Sequence, residues 1–179
     1  MKTNPFRTKL ALLVAISLVA LGIVAYAATV VIVAVGNTPH SELLGGPATV
    51  TFRTIALAPG EVSSWHYHPG PVINVVTRGT VNVEDGCGGE EAITIGQAFE
   101  TIGGRIHRAK NLGTEESFEY NTFIVPQGSP LTVNIPNNER RCGPPRKVDH
   151  CKNGGWVSFT HPRSFSNQGD CIQYINTGQ

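Results

Sequence analysis

The sequence predicts an all-β protein, a sandwich or barrel, and three observations carry that prediction. Gly (20) and Pro (12) are frequent and Val and Thr are common, the composition of a chain of strands and turns. Beyond residue 47, short apolar runs alternate with turn signals at even spacing. No stretch there has the 3.6-residue periodicity of a convincing amphipathic helix.

Each element follows in order. Leu10 to Gly36 has no charged residue and follows Lys2, Arg7 and Lys9, so its N-terminus is expected on the cytoplasmic side. Residues 1–36 are read as a signal peptide or a membrane anchor. As a signal peptide, the apolar part is Leu10 to Val24 and Ala25-Tyr26-Ala27 is the cleavage site. As a hydrophobic helix anchoring the chain, it runs from Leu10 to Val35, and the continuation ATVVIVAV favours this form. Both readings put the remainder outside the cytoplasm. Residues 37–47 are expected to be a linker. Strands are expected at 48–58, 62–68, 72–77, 80–84, 92–95, 98–102, 106–111, 117–125 and 131–135, making residues 48–138 one β-domain. Residues 139–179 form a C-terminal extension holding three of the four cysteines, Cys142, Cys151 and Cys171; Cys87 lies in a Gly-rich loop. The extension has few apolar runs, so its order is expected to depend on a disulfide. Arg140, Arg141, Arg146, Lys147 and Lys152 make it locally basic, which a solvated loop explains. An export segment together with four cysteines points to disulfides.

Charged residues are 15% of the chain and the formal net charge is +1, which gives no reason to expect nucleic acid or an acidic partner. No Gly-rich loop precedes a helix, so nucleotide binding has no support. Ser63 and Ser64 have no partner pattern for a nucleophile, and no catalytic residue is assigned. The chemistry-bearing feature is His66-Tyr67-His68. In an extended strand, residues two apart share a face. His66 and His68 therefore present two imidazoles together, and His107, on a later strand, can supply a third for a metal ion. The alternative is a metal-free barrel whose histidines bond a ligand or one another. By the same alternation, Trp65 and Tyr67 point away from the histidines and are expected outside. Phe99, Ile73 and Val75 are candidates to line a cavity, and core packing explains them equally well.

Two motifs carry a family resemblance. Gly60-x5-His66-x-His68-x3-Val72-x6-Gly79 resembles the first cupin motif, with Val72 where the family has glutamate. Gly96-x5-Ile102-x-Gly104-x2-His107-x3-Asn111 resembles the second, with Ile102 in place of proline. The resemblance covers roughly Ala48 to Pro136. It implies a double-stranded β-helix, the cupin jelly-roll barrel, with His66, His68 and His107 as metal ligands near its mouth. Valine cannot ligate, so the set is reduced to three histidines with one negative charge fewer. That shifts preference from manganese toward iron, zinc or copper. The implied cofactor is a divalent metal ion, iron first, with zinc, copper, manganese or nickel as alternatives. Glu100 is expected to face outward, opposite Phe99, and not to restore the carboxylate. Asn111 is expected to cap a turn.

CKNGGW…FSNQGDC is similar to a Cys-bounded segment at the ends of exported bacterial proteins. That likeness implies Cys151–Cys171, leaving Cys87 for Cys142, although four cysteines allow three pairings. The functional expectation is an extracytoplasmic cupin that binds a divalent metal and acts as an oxygenase-type enzyme on a small molecule. The alternative is a module that binds metal or ligand without turnover. Membrane contact is expected only through the N-terminal segment; the resemblance allows a homodimer paired through edge strands, which nothing in the sequence fixes.

Overall fold

The computed structural model describes residues 28–136 and 141–179. Among the described residues, ten strands form two five-stranded antiparallel sheets. They are β1 (Thr29–Ser41), β2 (Gly46–Leu57), β3 (His66–Tyr67), β4 (Val72–Arg78), β5 (Thr80–Asp85), β6 (Glu90–Thr94), β7 (Ala98–Thr101), β8 (His107–Lys110), β9 (Ser117–Pro126) and β10 (Val133–Asn134). One sheet has the order β1-β2-β9-β4-β7 and the other β10-β3-β8-β5-β6. Consecutive strands repeatedly cross between sheets, and side chains on the facing surfaces fill the space between them.

The long ladder in the first sheet sets what faces inward. Thr51, Arg53, Ile55 and Leu57 of β2 stand opposite Phe123, Asn121, Glu119 and Ser117 of β9. On the other side of β9, Val72, Asn74 and Val76 of β4 oppose the same Phe123, Asn121 and Glu119. Directly opposed antiparallel residues share a face, and Ser117, Glu119, Asn121, Phe123 and Val125 are all buried. The barrel interior is therefore layered. Val76, Val81 and Ile93 pack at one end, and Val72, Phe123 and Val125 at the other. Asn74, Asn121 and Arg53 form a polar row between them.

Three expectations are corrected. Thr29–Ser41 is a strand, paired with β2 from Thr29↔Ala56 to Ser41↔Gly46; it is neither the end of a membrane helix nor a linker. Its β-branched run TVVIVAV favours a ladder, and being apolar throughout it imitates a membrane span. Val30, Val31, Ile32, Val33 and Val35 stay exposed on this edge strand. The expectation for Leu10 to Tyr26 lies outside the described residues. Among the described residues no helix is long and apolar enough to cross a membrane. Second, Ile73 and Val75 are exposed. They alternate with Val72, and it is Asn74 and Val76 that face inward. Third, Trp65 does point away from His66, but it is buried with Ile106 and Ile135 beneath the Arg108 guanidinium, 4.5 Å from its ring.

The C-terminal extension also differs from a solvated loop. It contains α1 (Val148–Cys151), a 3-10 turn (Gly155–Ser158) and α2 (Gln168–Thr177). Cys142, Cys151, Phe159, Phe165 and Cys171 form its own small core, flanked by Trp156, Ile172, Tyr174 and Ile175. Helix α2 starts where Asn167 accepts a hydrogen bond from the Asp170 amide at 2.9 Å, a regular N-cap. Asp170 in turn takes a two-pronged contact from Arg163 at 3.0 and 2.7 Å. Disulfides join Cys87 to Cys142 and Cys151 to Cys171. The first ties the β5–β6 loop to the extension, where the Gly86 position permits close approach. A Cβ there would lie 1.8 Å from the Arg141 carbonyl oxygen.

Candidate metal centre

β3 and β8 pair through one register position, His66↔His107. His68 follows two residues on, at the mouth of the Pro69-Gly70-Pro71 turn. That turn needs glycine, because a Cβ on Gly70 would sit 2.0 Å from the Ile124 carbonyl oxygen. The Gly104 amide, in the turn before β8, donates to the His68 carbonyl at 2.7 Å. The two sequence motifs thus meet directly. The ring centroids lie 4.5 Å apart for His66–His107 and 5.0 Å for both His66–His68 and His68–His107. One nitrogen from each ring falls within 4.8 Å of the others'.

Each Nδ1 is already occupied. It lies 2.7 Å from the Ser64 carbonyl oxygen in His66, 2.8 Å from Leu131 in His68 and 2.9 Å from Arg105 in His107. A carbonyl only accepts, so Nδ1 carries the proton and the Nε2 lone pair is left for a metal. Burial pushes His68 down to about 2, helped by the His107 and His66 rings, and pushes His107 down to about 3, helped by His66. His66 is lowered in the same way, chiefly by burial and against its bond to Ser64. Three neutral, oriented imidazoles suit a divalent ion.

Val72 is buried against Phe123 and Val125, so no carboxylate stands at that position. Glu100 is exposed and pairs with Ile73 on the outer face. Asn111 is fully buried; its Nδ2 donates to the Leu57 and Glu115 carbonyls at 2.8 and 2.7 Å, and its Oδ1 accepts from the Gly113 amide at 3.0 Å. Tyr67 points outward against the His161 ring of the extension, 5.4 Å away. A cleft of about 250 Å³ reaches His107 past Phe99 and Thr101.

With the fold and the imidazole cluster placed, the comparison with known families is direct. Residues 53–129 match the family model described as "Cupin domain". This β-domain is a cupin. Solved structures similar to it include an oxalate oxidase in complex with the substrate analogue glycolate, at 23% identity and a TM-score of 0.43, covering 49% of this chain and 46% of that one. A cupin superfamily protein from Desulfitobacterium hafniense is 12% identical with a TM-score of 0.43, over 55% and 78% of the two chains. A double-stranded β-helix protein from Klebsiella pneumoniae is 18% identical with a TM-score of 0.47, over 62% and 86%. The chain thus spans less than half the length of the oxalate oxidase. None of these likenesses bears on activity. No curated protein sequence matches the chain.

Within the cupin, the structure brings in two residues that sequence reasoning missed. Arg53 and Glu119 lie on strands outside both motifs and face the same interior. Arg53 donates from Nε to Asn121 Oδ1 at 3.0 Å, Asn121 Nδ2 donates to Asn74 Oδ1 at 2.9 Å, and Asn74 Nδ2 reaches Thr101 Oγ1 at 3.5 Å. The Arg53 guanidinium lies 4.3 Å from the centroid of Phe123, whose ring meets His68 edge-on at 5.0 Å. Glu119 is 6% exposed. Burial pushes its carboxyl up to about 7, against the Asn121 hydrogen bond and the Arg53 charge. The available signal was parity: Glu119 alternates in step with Phe123 and Val125.

Proposed function

We propose that this cupin holds a divalent metal ion through Nε2 of His66, His68 and His107 and acts on a small oxygen-bearing molecule in an oxygenase-type reaction. The observation that carries the reading is the three Nδ1–carbonyl contacts, which leave the Nε2 lone pair free on three clustered rings, one nitrogen of each within 4.8 Å of the others'. When bound, the metal supplies Lewis acidity and, if it is iron, redox chemistry. The protein's part is to hold the ligands rigid, to keep them unprotonated by burial, and to close the site with apolar walls at Phe123 and Val72. Three protein ligands leave open coordination positions, and the loss of the glutamate charge favours iron, zinc or copper over manganese. The two disulfides, behind the apolar stretch that begins at Leu10, support a location outside the cytoplasm.

A second reading, a binding module without turnover, is favoured by one specific observation: no carboxylate stands beside the histidines at Val72. The test is metal content of the protein purified without added metal or a histidine tag, beside a His66→Ala/His107→Ala double variant. Near-stoichiometric metal in the parent and little in the variant is expected. A parent that stays metal-free after reconstitution with iron, zinc, copper and manganese rejects the reading. Dioxygen uptake with candidate substrates then separates enzyme from binding module.

A further inference from the structure

The interior holds a cation and a carboxyl group that attract one another but, among the described residues, share no hydrogen bond or close ion pair. Arg53 is half-buried; among the described residues its one hydrogen bond runs from Nε to Asn121, and its guanidinium lies over the Phe123 ring. Among the described residues no carboxylate oxygen comes within 4.0 Å of its guanidinium nitrogens, whereas Arg78, Arg105, Arg108 and Arg163 are each ion-paired. Glu119 Oε2 is buried and has no hydrogen-bond partner. Leaving a buried polar atom unpaired is unfavourable, and an unpaired, partly desolvated charge is more so. Val76 and Ile55, the neighbours of Glu119 across the ladder, offer it nothing. The apolar core does not need either group, since Val81, Val76, Phe123 and Val125 supply it.

Both groups belong to the interior that contains the imidazoles. Arg53 and His68 pack on the same Phe123 ring, and the Arg53 charge is near enough to depress both His66 and His68. A guanidinium fork matches a carboxylate with two parallel hydrogen bonds. An orphan carboxyl oxygen seeks a hydroxyl, which can donate to it or accept from it.

We propose that Arg53 and Glu119 form a ligand subsite inside the barrel for a small hydroxy acid, Arg53 binding its carboxylate and Glu119 Oε2 its hydroxyl. The subsite names the substrate class for the function proposed above, and it exists whether or not metal is bound.

The experiment uses the full chain with its disulfides oxidised, in metal-stripped and zinc-loaded forms, titrated with L-lactate, L-lactamide and propionate and followed by NMR and calorimetry. Lactate should bind at least ten-fold more tightly than lactamide, which lacks the charge, and several-fold more tightly than propionate, which lacks the hydroxyl. Arg53→Gln should abolish the first preference and Glu119→Gln reduce the second. Arg53→Lys, which keeps the charge and loses the fork, should fall between parent and Arg53→Gln. Equal binding of lactate and lactamide by the parent, which requires no variant to fold, overturns the proposal, as does absence of lactate binding in both forms. Zinc held without lactate preference would remove the subsite and leave the metal centre standing. Lactate preference in a protein that holds no zinc would do the reverse.

Discussion

The barrel and the C-terminal extension solve the problem of stability in opposite ways. The barrel rests on long ladders, β1 on β2 and β2 on β9, and its interior is free to be polar: Asn74, Asn121, Glu119, His68 and His107 are all buried there. The extension has almost no ladder. Its short helices are held by a disulfide wrapped in Phe159 and Phe165, and its buried positions are entirely apolar or sulfur-bearing. The contrast teaches where function can lie. Backbone pairing that already closes a structure releases the interior for chemistry, whereas a segment that must build a core from few residues has none to spare.

Removing the disulfides should sharpen that contrast most. Cys87–Cys142 spans 55 positions and Cys151–Cys171 spans 20; chain entropy puts their loss at about 4 and about 3 kcal/mol. In the Cys151→Ser/Cys171→Ser variant, amides of α2 should exchange rapidly with deuterium while those of β2 and β9 stay protected. Concerted loss of both sets would erase the distinction between the regions.

The polar interior has its own signature. Glu119 is raised from 4.5 to about 7 in the folded state, so folding favours its protonated form. The stabilisation is full below about pH 4.5 and is lost as the pH rises toward and through about 7, roughly 3 kcal/mol in all. Urea unfolding from pH 4.5 to 8 should show the parent losing that amount relative to Glu119→Gln. Parallel curves for the two proteins would place Glu119 in contact with water.

Two smaller effects probe single hydrogen-bonding groups, one in each region. Asn111→Ala removes three bonds from the fully buried turn after β8 and should cost about 2 kcal/mol in barrel stability. Asn167→Ala removes the α2 cap and should cost about 1 kcal/mol, read as faster exchange in the extension alone.

Much of this was legible in the sequence, for reasons that differ by residue. His66, His68 and His107 could be read because alternation along short strands is strict and two motifs bracket them. The strands from β2 to β9 could be read from the same alternation. β1 could not, because a β-branched apolar run that stays exposed on an edge strand has the composition of a membrane segment. The core of the extension could not, because Phe159, Phe165 and Cys171 are brought together by a covalent bond and not by any periodicity. Glu119 could have been found by parity with Phe123, and Arg53 by parity with Leu57 on its own strand. A charged side chain on an inward position simply defies the ordinary expectation that the inner face is apolar.

One contact has a consequence for timing. The Nδ1 partner of His68 is the carbonyl of Leu131, 63 positions later in the chain. Until that late segment docks beside β3, the ring lacks the carbonyl that chooses its tautomer. The three-imidazole trap is therefore set by the closing stretch of the barrel: a half-made chain offers a passing ion loose histidines, and only the completed one offers a cage.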